Sequence, residues 1–557
     1  MRRLPWIPWL PVVLTAVAAV VILVLDPPMR DLQAALARES ANRSGVGVSY
    51  WFSWFGGVAP GSYSLLVPPL TSAVGSLQLL CLATVLVAAL SYPVSRTAAH
   101  PTLMMWAVSL AAVLNMFSGR VTFAVGAAVA MVGLWVFQRG RPVIGAVLLV
   151  VAGLASALVP AFAGIIALPF LFFRSYRSRA LWWALAGAAL GVLAPSFLFG
   201  APGVQPYVWT TLVWSLVIGA GATAALWRPA HTRVLPARWI APLAMAAAVV
   251  LFIIPTGVGA NLSRFFYLVL PCVVLFWSLR SPKVLALLLS PALVYALFVA
   301  LYDQVTVADT DEEFRYTPLT EQLDTLVDEG RIDNHRVELV DTGTHAGSHL
   351  LTESVPLARG WENQSDMRYN PVFYERDALD AASYGTWLAD NAVAYVAVAA
   401  DPIRQQQDEA DLVGSGLPYL TERWSNPDWT LYEVTDPTTI VPAPLQLVSS
   451  SPSEMVVDVP QDAVNRPHQI RIRPNRYLTA TRDDGQAAPT AATGPTGAAA
   501  ATGATRSTAP TKPPEACIAG GEDTDWATMT FPAPGRYTLT GQFSVSALFD
   551  PPVDACP

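Results

Sequence analysis

A chain of 557 residues that is 53% hydrophobic, with a mean hydropathy of +0.42, is too apolar for one soluble globule and too long for one domain. Its charge is divided: residues 1–302 carry 18 Lys and Arg against three acids, a balance of +15, whereas residues 303–557 carry 16 against 38, a balance of −22. Segments so different in charge do not share one solvent, so the boundary near Tyr302 marks a membrane surface, and nothing in the pattern suggests a nucleic-acid partner.

A bilayer span needs roughly 20 mostly apolar residues. On that measure eleven helices are expected, near 7–25, 70–94, 101–117, 121–137, 143–160, 162–173, 180–199, 208–227, 239–256, 264–279 and 284–302. Thirteen Lys and Arg fall in one set of alternate loops and five (Arg30, Arg38, Arg43, Arg120 and Arg264) in the other, which predicts a cytoplasmic N-terminus in the plasma membrane. An odd helix count then puts everything after Tyr302 outside, and the start MRRLPWIPWLPVVLTAVAAVVILVL reads as an uncleaved first helix.

The three acids of the membrane part, Asp26, Asp31 and Glu39, all lie in the first outer loop, between the first two apolar segments. Carboxylates beside hydrocarbon are costly and are functional candidates. Residues 29–39, MRDLQAALARE, can form a short amphipathic helix lying on the membrane, leading to the aromatic run Tyr50, Trp51, Phe52, Trp54 and Phe55. That run suits either substrate contact or an interfacial belt.

From residue 303 to about 440 the pattern alternates helical and strand-like stretches, TPLTEQLDTLVDEG, RVELVDTG, YGTWLADN, AVAYVAVA and WTLYEV, which predicts a small exported α/β domain. Its segment 356–374, PLARGWENQSDMRYNPVFY, is either a sugar-contacting surface built on Trp361, Glu362 and Tyr369 or a loop docking onto the membrane part. Residues 441–557 contain short alternating runs that predict a small β-sandwich, interrupted by an Ala/Thr/Gly/Pro-rich insertion at 484–516 expected to be disordered. Cys517 and Cys556 fall in the exported part, where a disulfide can form.

Several kinds of site are absent from the sequence: there is no phosphate loop with its Lys and no Cys/His spacing for zinc. The pair in HAGSH lacks a third ligand at a suggestive spacing, so it reads as a turn. No ionisable side chain falls inside a predicted span, as a proton-coupled transporter would require. The remaining charges suit chemistry at the outer leaflet. Asp26, with Asp31 as a second acid, would accept the proton of an attacking hydroxyl, and Arg264 and Arg120 would hold the phosphate of a lipid-linked sugar donor. Their simpler roles are a helix end for Asp26 and interfacial anchoring for the two arginines.

The short helices, the long first outer loop with an acid after helix 1, and the stretches SYWFSWFGGVAPGSYSLLVPPL, SGRVTFAVG, ANLSRFFYLVLP and VPLARGWENQSDMRYNPVFY together resemble the GT-C superfamily of membrane glycosyltransferases, in particular actinobacterial multi-helix members with a C-terminal exported domain. The resemblance covers most of residues 1–440. It implies transfer of a sugar from a polyprenyl-phosphate donor to an envelope glycan or glycolipid of the arabinan or mannan type. The catalytic Asp would be Asp26 or Asp31, the phosphate would be held by Arg264 or Arg120, and no cofactor is required, although a divalent cation is compatible with the chemistry. Two features depart from the family: Asp26 is followed by Pro27 and Pro28 where members carry a paired acid, and Ser53 precedes Trp54 where some carry an acid. The alternative function is a non-catalytic scaffold or carrier for a lipid-linked substrate.

Overall fold

The computed structural model describes residues 9–200, 203–305, 312–483, 515–520, 525–549 and 556. Its membrane part opens with α1 (Leu10–Leu25), α2 (Arg30–Arg43), α3 (Val67–Val74), α4 (Ser76–Ser95), α5 (Pro101–Phe117) and α6 (Val121–Gln138). It continues through α7 (Pro142–Ala155), α8 (Leu158–Ala167), α9 (Arg179–Phe199) and α10 (Trp209–Leu226), and ends with α11 (Ile240–Ile253), α12 (Leu270–Trp277) and α13 (Pro282–Val305). Among the described residues, seven helical stretches are long and apolar enough to cross a bilayer, or eight if the bent pair of α1 and α2 is one span. The protein is therefore multi-pass by length and composition. Each of the eleven expected segments meets an apolar helix, but α1, α5, α7 and α8 fall short of that length, and α11 and α12 reach it only with the helical turns before them, as Leu235–Ile253 and Gly259–Trp277. Close approach of backbones, which small residues permit, packs the helices: a Cβ on Gly153 of α7 would lie 2.1 Å from the carbonyl oxygen of Gly191 on α9.

Beyond the membrane part, α14 (Glu312–Asp328), α15 (Gly347–Leu350), α16 (Asn363–Tyr369), α17 (Ala381–Asp390) and α18 (Gln407–Gly414) surround a four-stranded sheet. The strands are β1 (Arg336–Val340), β2 (Val393–Ala399), β3 (Leu420–Ser425) and β4 (Trp429–Val434), in the order β1-β2-β4-β3. Only β1 and β2 run parallel, and both are buried along nearly their whole length.

The C-terminal part is two facing antiparallel sheets. One has the order β5-β6-β11-β8, from β5 (Gln446–Ser450), β6 (Glu454–Val459), β8 (Leu478–Arg482) and β11 (Gly535–Gly541). The other has the order β7-β10-β9, from β7 (Pro467–Ile470), β9 (Cys517–Gly520) and β10 (Ala527–Thr530). Cys517 and Cys556 are disulfide-bonded, with their Cα atoms 5.7 Å apart. Most of the expected disordered insertion, residues 484–514, lies outside the described residues. Its last two residues correct that expectation, because Glu515 bridges Thr481 and the Ala516 amide donates to the Ala480 carbonyl at 2.9 Å.

Two further corrections concern the first outer loop. Helix α2 does not lie with a free polar face on the membrane; Leu32, Gln33, Ala37, Arg38, Glu39 and Ala41 are all buried, packed between the membrane helices and the α/β part. The aromatic run is not an interfacial belt either. Tyr50 and Phe52 complete the sandwich core, while Trp51, Trp54 and Phe55 form a separate buried cluster against Trp361 and Tyr369. Burying these large rings between the parts helps dock the three together.

Candidate functional site

The site is built by a corner in the chain. Helix α1 ends on Asp26, which adopts the left-handed conformation (φ 41°), and Pro27 and Pro28 prevent helix from continuing. The chain turns by 68° and restarts as α2 at Arg30. Asp31 thus occupies the first turn of α2, where the helix dipole favours a negative charge.

Two other elements converge on that turn. Arg120 caps the start of α6 after Gly119, whose φ is +72° and whose added Cβ would meet the Leu32 amide nitrogen at 2.6 Å. Only a glycine lets this turn press directly against α2. Arg264 precedes a single π-helical turn, Phe265–Val269, that leads into α12; such turns are frequent at functional sites.

The resulting cluster is compact. Arg120 Nε donates to Asp31 Oδ2 at 2.8 Å and Arg120 Nη1 donates to the Tyr267 hydroxyl at 3.0 Å. Arg264 Nη2 lies 4.0 Å from the same Asp31 oxygen, and Oδ1 carries no bond among the described residues. Side-chain exposures of 34% for Asp31, 13% for Arg120 and 17% for Arg264 leave the cluster open to a ligand. The forked donors of the two guanidiniums, converging on one side of α2, match the oxygens of a phosphate. Tyr267 also closes one end of an apolar groove of about 540 Å³ between α5, α12 and α13, lined by Leu103, Leu114, Leu275, Leu285 and Ala296. The Tyr267 ring is held edge-on by Tyr295, which stacks on Trp214.

The other sequence candidates separate from this cluster. Asp26 is exposed, and its side chain pairs with no described residue. Glu39, the third acid, accepts from the Ser76 amide at 2.6 Å at the start of α4 and pairs with Arg43, so it serves as a remote helix cap. Tyr50, Trp51 and Trp54 are at most 1% exposed, and no ring face is left for a sugar, which corrects their reading as substrate contacts. Tyr50 donates to the Arg473 carbonyl at 2.7 Å, and Trp54 donates to the Ser348 carbonyl at 3.2 Å.

Glu362 is likewise unavailable to substrate. It accepts from Arg38 at 2.8 Å in a pair whose side chains are only 4% and 3% exposed. Burial raises its carboxyl above the usual carboxylate range, and Arg38 partly opposes that rise. Trp361 donates its indole N–H to the Arg30 carbonyl at 3.0 Å and stacks on His345 at 3.7 Å, one turn of chain from the Asp31 corner. Of the two readings of segment 356–374, docking describes these contacts. Among the described residues no group of three His, Cys, Asp or Glu could hold a metal.

Two members of the cluster escaped the sequence reading. Tyr267 stands three residues after Arg264 in SRFFYLV, a spacing that puts both on one helical face, and Gly119 immediately precedes Arg120.

No family model matches the chain, and no curated protein matches it. Among solved structures it is similar to arabinofuranosyltransferase AftD from mycobacteria, at 14% identity and a TM-score of 0.39, covering 83% of this chain and 41% of that one. A mutant of the same enzyme matches at 15% identity and a TM-score of 0.37, covering 83% and 43%. The chain thus spans about two fifths of the length of the structures it matches.

Proposed function

We propose that this protein is a membrane glycosyltransferase that moves a sugar from a polyprenyl-phosphate donor to an envelope glycan or glycolipid at the outer face of the plasma membrane. The observation that carries the reading is the meeting of Arg120, Arg264 and Asp31 at the Tyr267 end of an apolar groove. The groove would take the prenyl tail and the arginines the phosphate. In the reaction an acceptor hydroxyl attacks the anomeric carbon, its proton passes to a carboxylate, and the bond from that carbon to the phosphate oxygen breaks with its electron pair leaving on phosphate. The guanidinium pair stabilises that developing charge.

Asp31 is the favoured base, since Oδ1 carries no bond among the described residues while Oδ2 is oriented by Arg120. The exposed Asp26, five residues earlier, is the second candidate. The test is glycosyl transfer from a labelled polyprenyl-phosphate sugar in membranes. Asp31→Asn should lower turnover by about 100-fold or more, the usual effect of losing a positioned base. Arg264→Ala should weaken donor binding. Full turnover in both Asp31→Asn and Asp26→Asn would reject the enzymatic reading in favour of a lipid-linked carrier.

A further inference from the structure

A second charged cavity, built from other residues, lies where the first outer loop, the end of α9, the end of α16 and the turn before β8 meet. It measures about 400 Å³ and its walls include Arg368, Arg473, Arg476, Tyr369, Tyr477 and Phe199, with no carboxylate among its lining residues. Arg473 is fixed in place before any ligand arrives. Its guanidinium lies between the rings of Tyr369, at 4.2 Å, and Trp526, at 4.0 Å, while Nε donates to the Phe55 carbonyl at 3.0 Å. Nη1 pairs with the exposed Asp525 at 2.9 Å, and Nη2 has no bond among the described residues. Arg476 is exposed, with no ionic partner among them.

A further guanidinium lies behind the cavity. Arg336 is 1% exposed and lies against the same Trp526 ring. Among the described residues its donors reach carbonyls, those of Asn391 and Arg471, and its buried Nε has no partner. Burial and then the like charge of Arg473 push its guanidinium down to about 9. Among the described residues Asp525 and Asp390 oppose these two guanidiniums, neither lines the cavity, and the cavity wall itself carries arginine without a carboxylate, which suits an anion.

The cavity also sits at the end of a membrane-length helix. Phe199 is the last residue of α9, the Tyr477 hydroxyl donates to the Leu198 carbonyl at 2.6 Å, and Phe199, Tyr477 and Phe543 form a triad with centroids 5.3 to 6.0 Å apart. Past that triad the chain after β11 presents Phe543, Val545 and Phe549 at 46%, 62% and 76% exposure. Apolar side chains left bare beside the end of a span fit the interfacial zone of a bilayer.

We infer that this cavity binds the phosphate of an anionic lipid from the leaflet that the sandwich faces, with the acyl chains running past Phe199, Phe543 and Val545. Arginine's forked donors match phosphate oxygens, and basic pockets at membrane level take lipid head groups in this way. Bound there, the lipid clamps the sandwich and the 57–62 loop to the bilayer. The inference uses none of the residues assigned to sugar transfer and stands or falls separately from it.

The experiment uses the full chain in nanodiscs of phosphatidylcholine with or without phosphatidylglycerol, reading lipid retained after extraction by native mass spectrometry. The wild type should retain phosphatidylglycerol in preference to phosphatidylcholine. Arg476→Ala and Arg368→Ala, both at exposed positions, should each reduce retention about tenfold, the loss expected for one charge-assisted bond. Val545→Ser with Phe549→Ser should lower lipid retention while leaving the weak binding of soluble glycerol phosphate unchanged. Retention equal in wild type and both arginine variants overturns the site, and soluble glycerol phosphate binding as tightly as the lipid overturns the lipid as its source.

Discussion

Replacing Glu362 by Gln tests the joint on which the proposed site depends. The change removes the carboxylate from Arg38 and leaves a guanidinium in a place where its side chain is 4% exposed. Breaking a buried pair from one side costs about 3 to 5 kcal/mol. Arg38 would keep its bond to the Ala34 carbonyl at 2.9 Å and its position over Tyr63 at 4.4 Å and Trp54 at 5.2 Å. Those contacts and the residual amide bond put the loss at the lower end, about 3 kcal/mol, or roughly 100-fold in the opening equilibrium. Hydrogen exchange should therefore accelerate by about that factor in α2 and in residues 353–369, and turnover should fall because α2 carries Asp31. The double change Arg38→Met with Glu362→Leu should recover most of the protection, since an apolar pair leaves no buried charge. Wild-type exchange in Glu362→Gln, together with an acceptor KM raised alone, would refute the joint and return Glu362 to the substrate. A double variant as labile as the single one would refute the electrostatic account.

Three more outcomes follow from particular contacts. Gly119→Ala introduces a Cβ within 3 Å of Leu32 at a left-handed position, so Arg120 should shift from Asp31 and turnover should fall by about 10- to 100-fold in the lipid-donor assay, with the chain still inserted. Asp341, behind β1, accepts from Tyr316, and burial pushes its carboxyl up to about 7. The folded state then holds this proton more tightly than the unfolded chain, so stability falls by up to ~1.4 kcal/mol per pH unit as pH rises from about 4 to 7 and levels off above. Asp341→Asn should flatten that segment of a thermal-unfolding profile, and an unchanged slope would assign it to other acids. Removing the Cys517–Cys556 bond by Cys556→Ser should cost the sandwich about 2 to 4 kcal/mol, seen as a lower unfolding temperature and faster proteolysis near β9.

The features legible in the sequence were those decided by local chemistry. Apolar runs of 15 to 20 residues announce membrane helices because each residue is tested against the same solvent, lipid. The buried strands β1, β2 and β4 and the sandwich strands β6, β7, β8, β10 and β11 show in their β-branched and alternating residues. Strands β3, β5 and β9 do not show in the sequence: β3 and β5 are largely exposed edges with no apolar face to reveal them, and β9 has only four residues, CIAG.

Which groups meet was settled by the tertiary structure. Tyr50, Trp51 and Trp54 would read identically as a sugar platform, an interfacial belt or a core, since an aromatic ring serves all three; burial against residues some 300 to 400 positions away selects the core. The three loop acids are likewise alike in sequence. Folding gives Glu39 a helix end, Asp31 two guanidiniums from positions 120 and 264, and leaves Asp26 exposed with no partner among the described residues. The sequence by itself determined how the chain is shared between lipid and water, because transfer free energy belongs to each side chain. Only the three-dimensional arrangement decided which carboxylate faces the arginines, because the energy of a charge depends on what packs beside it.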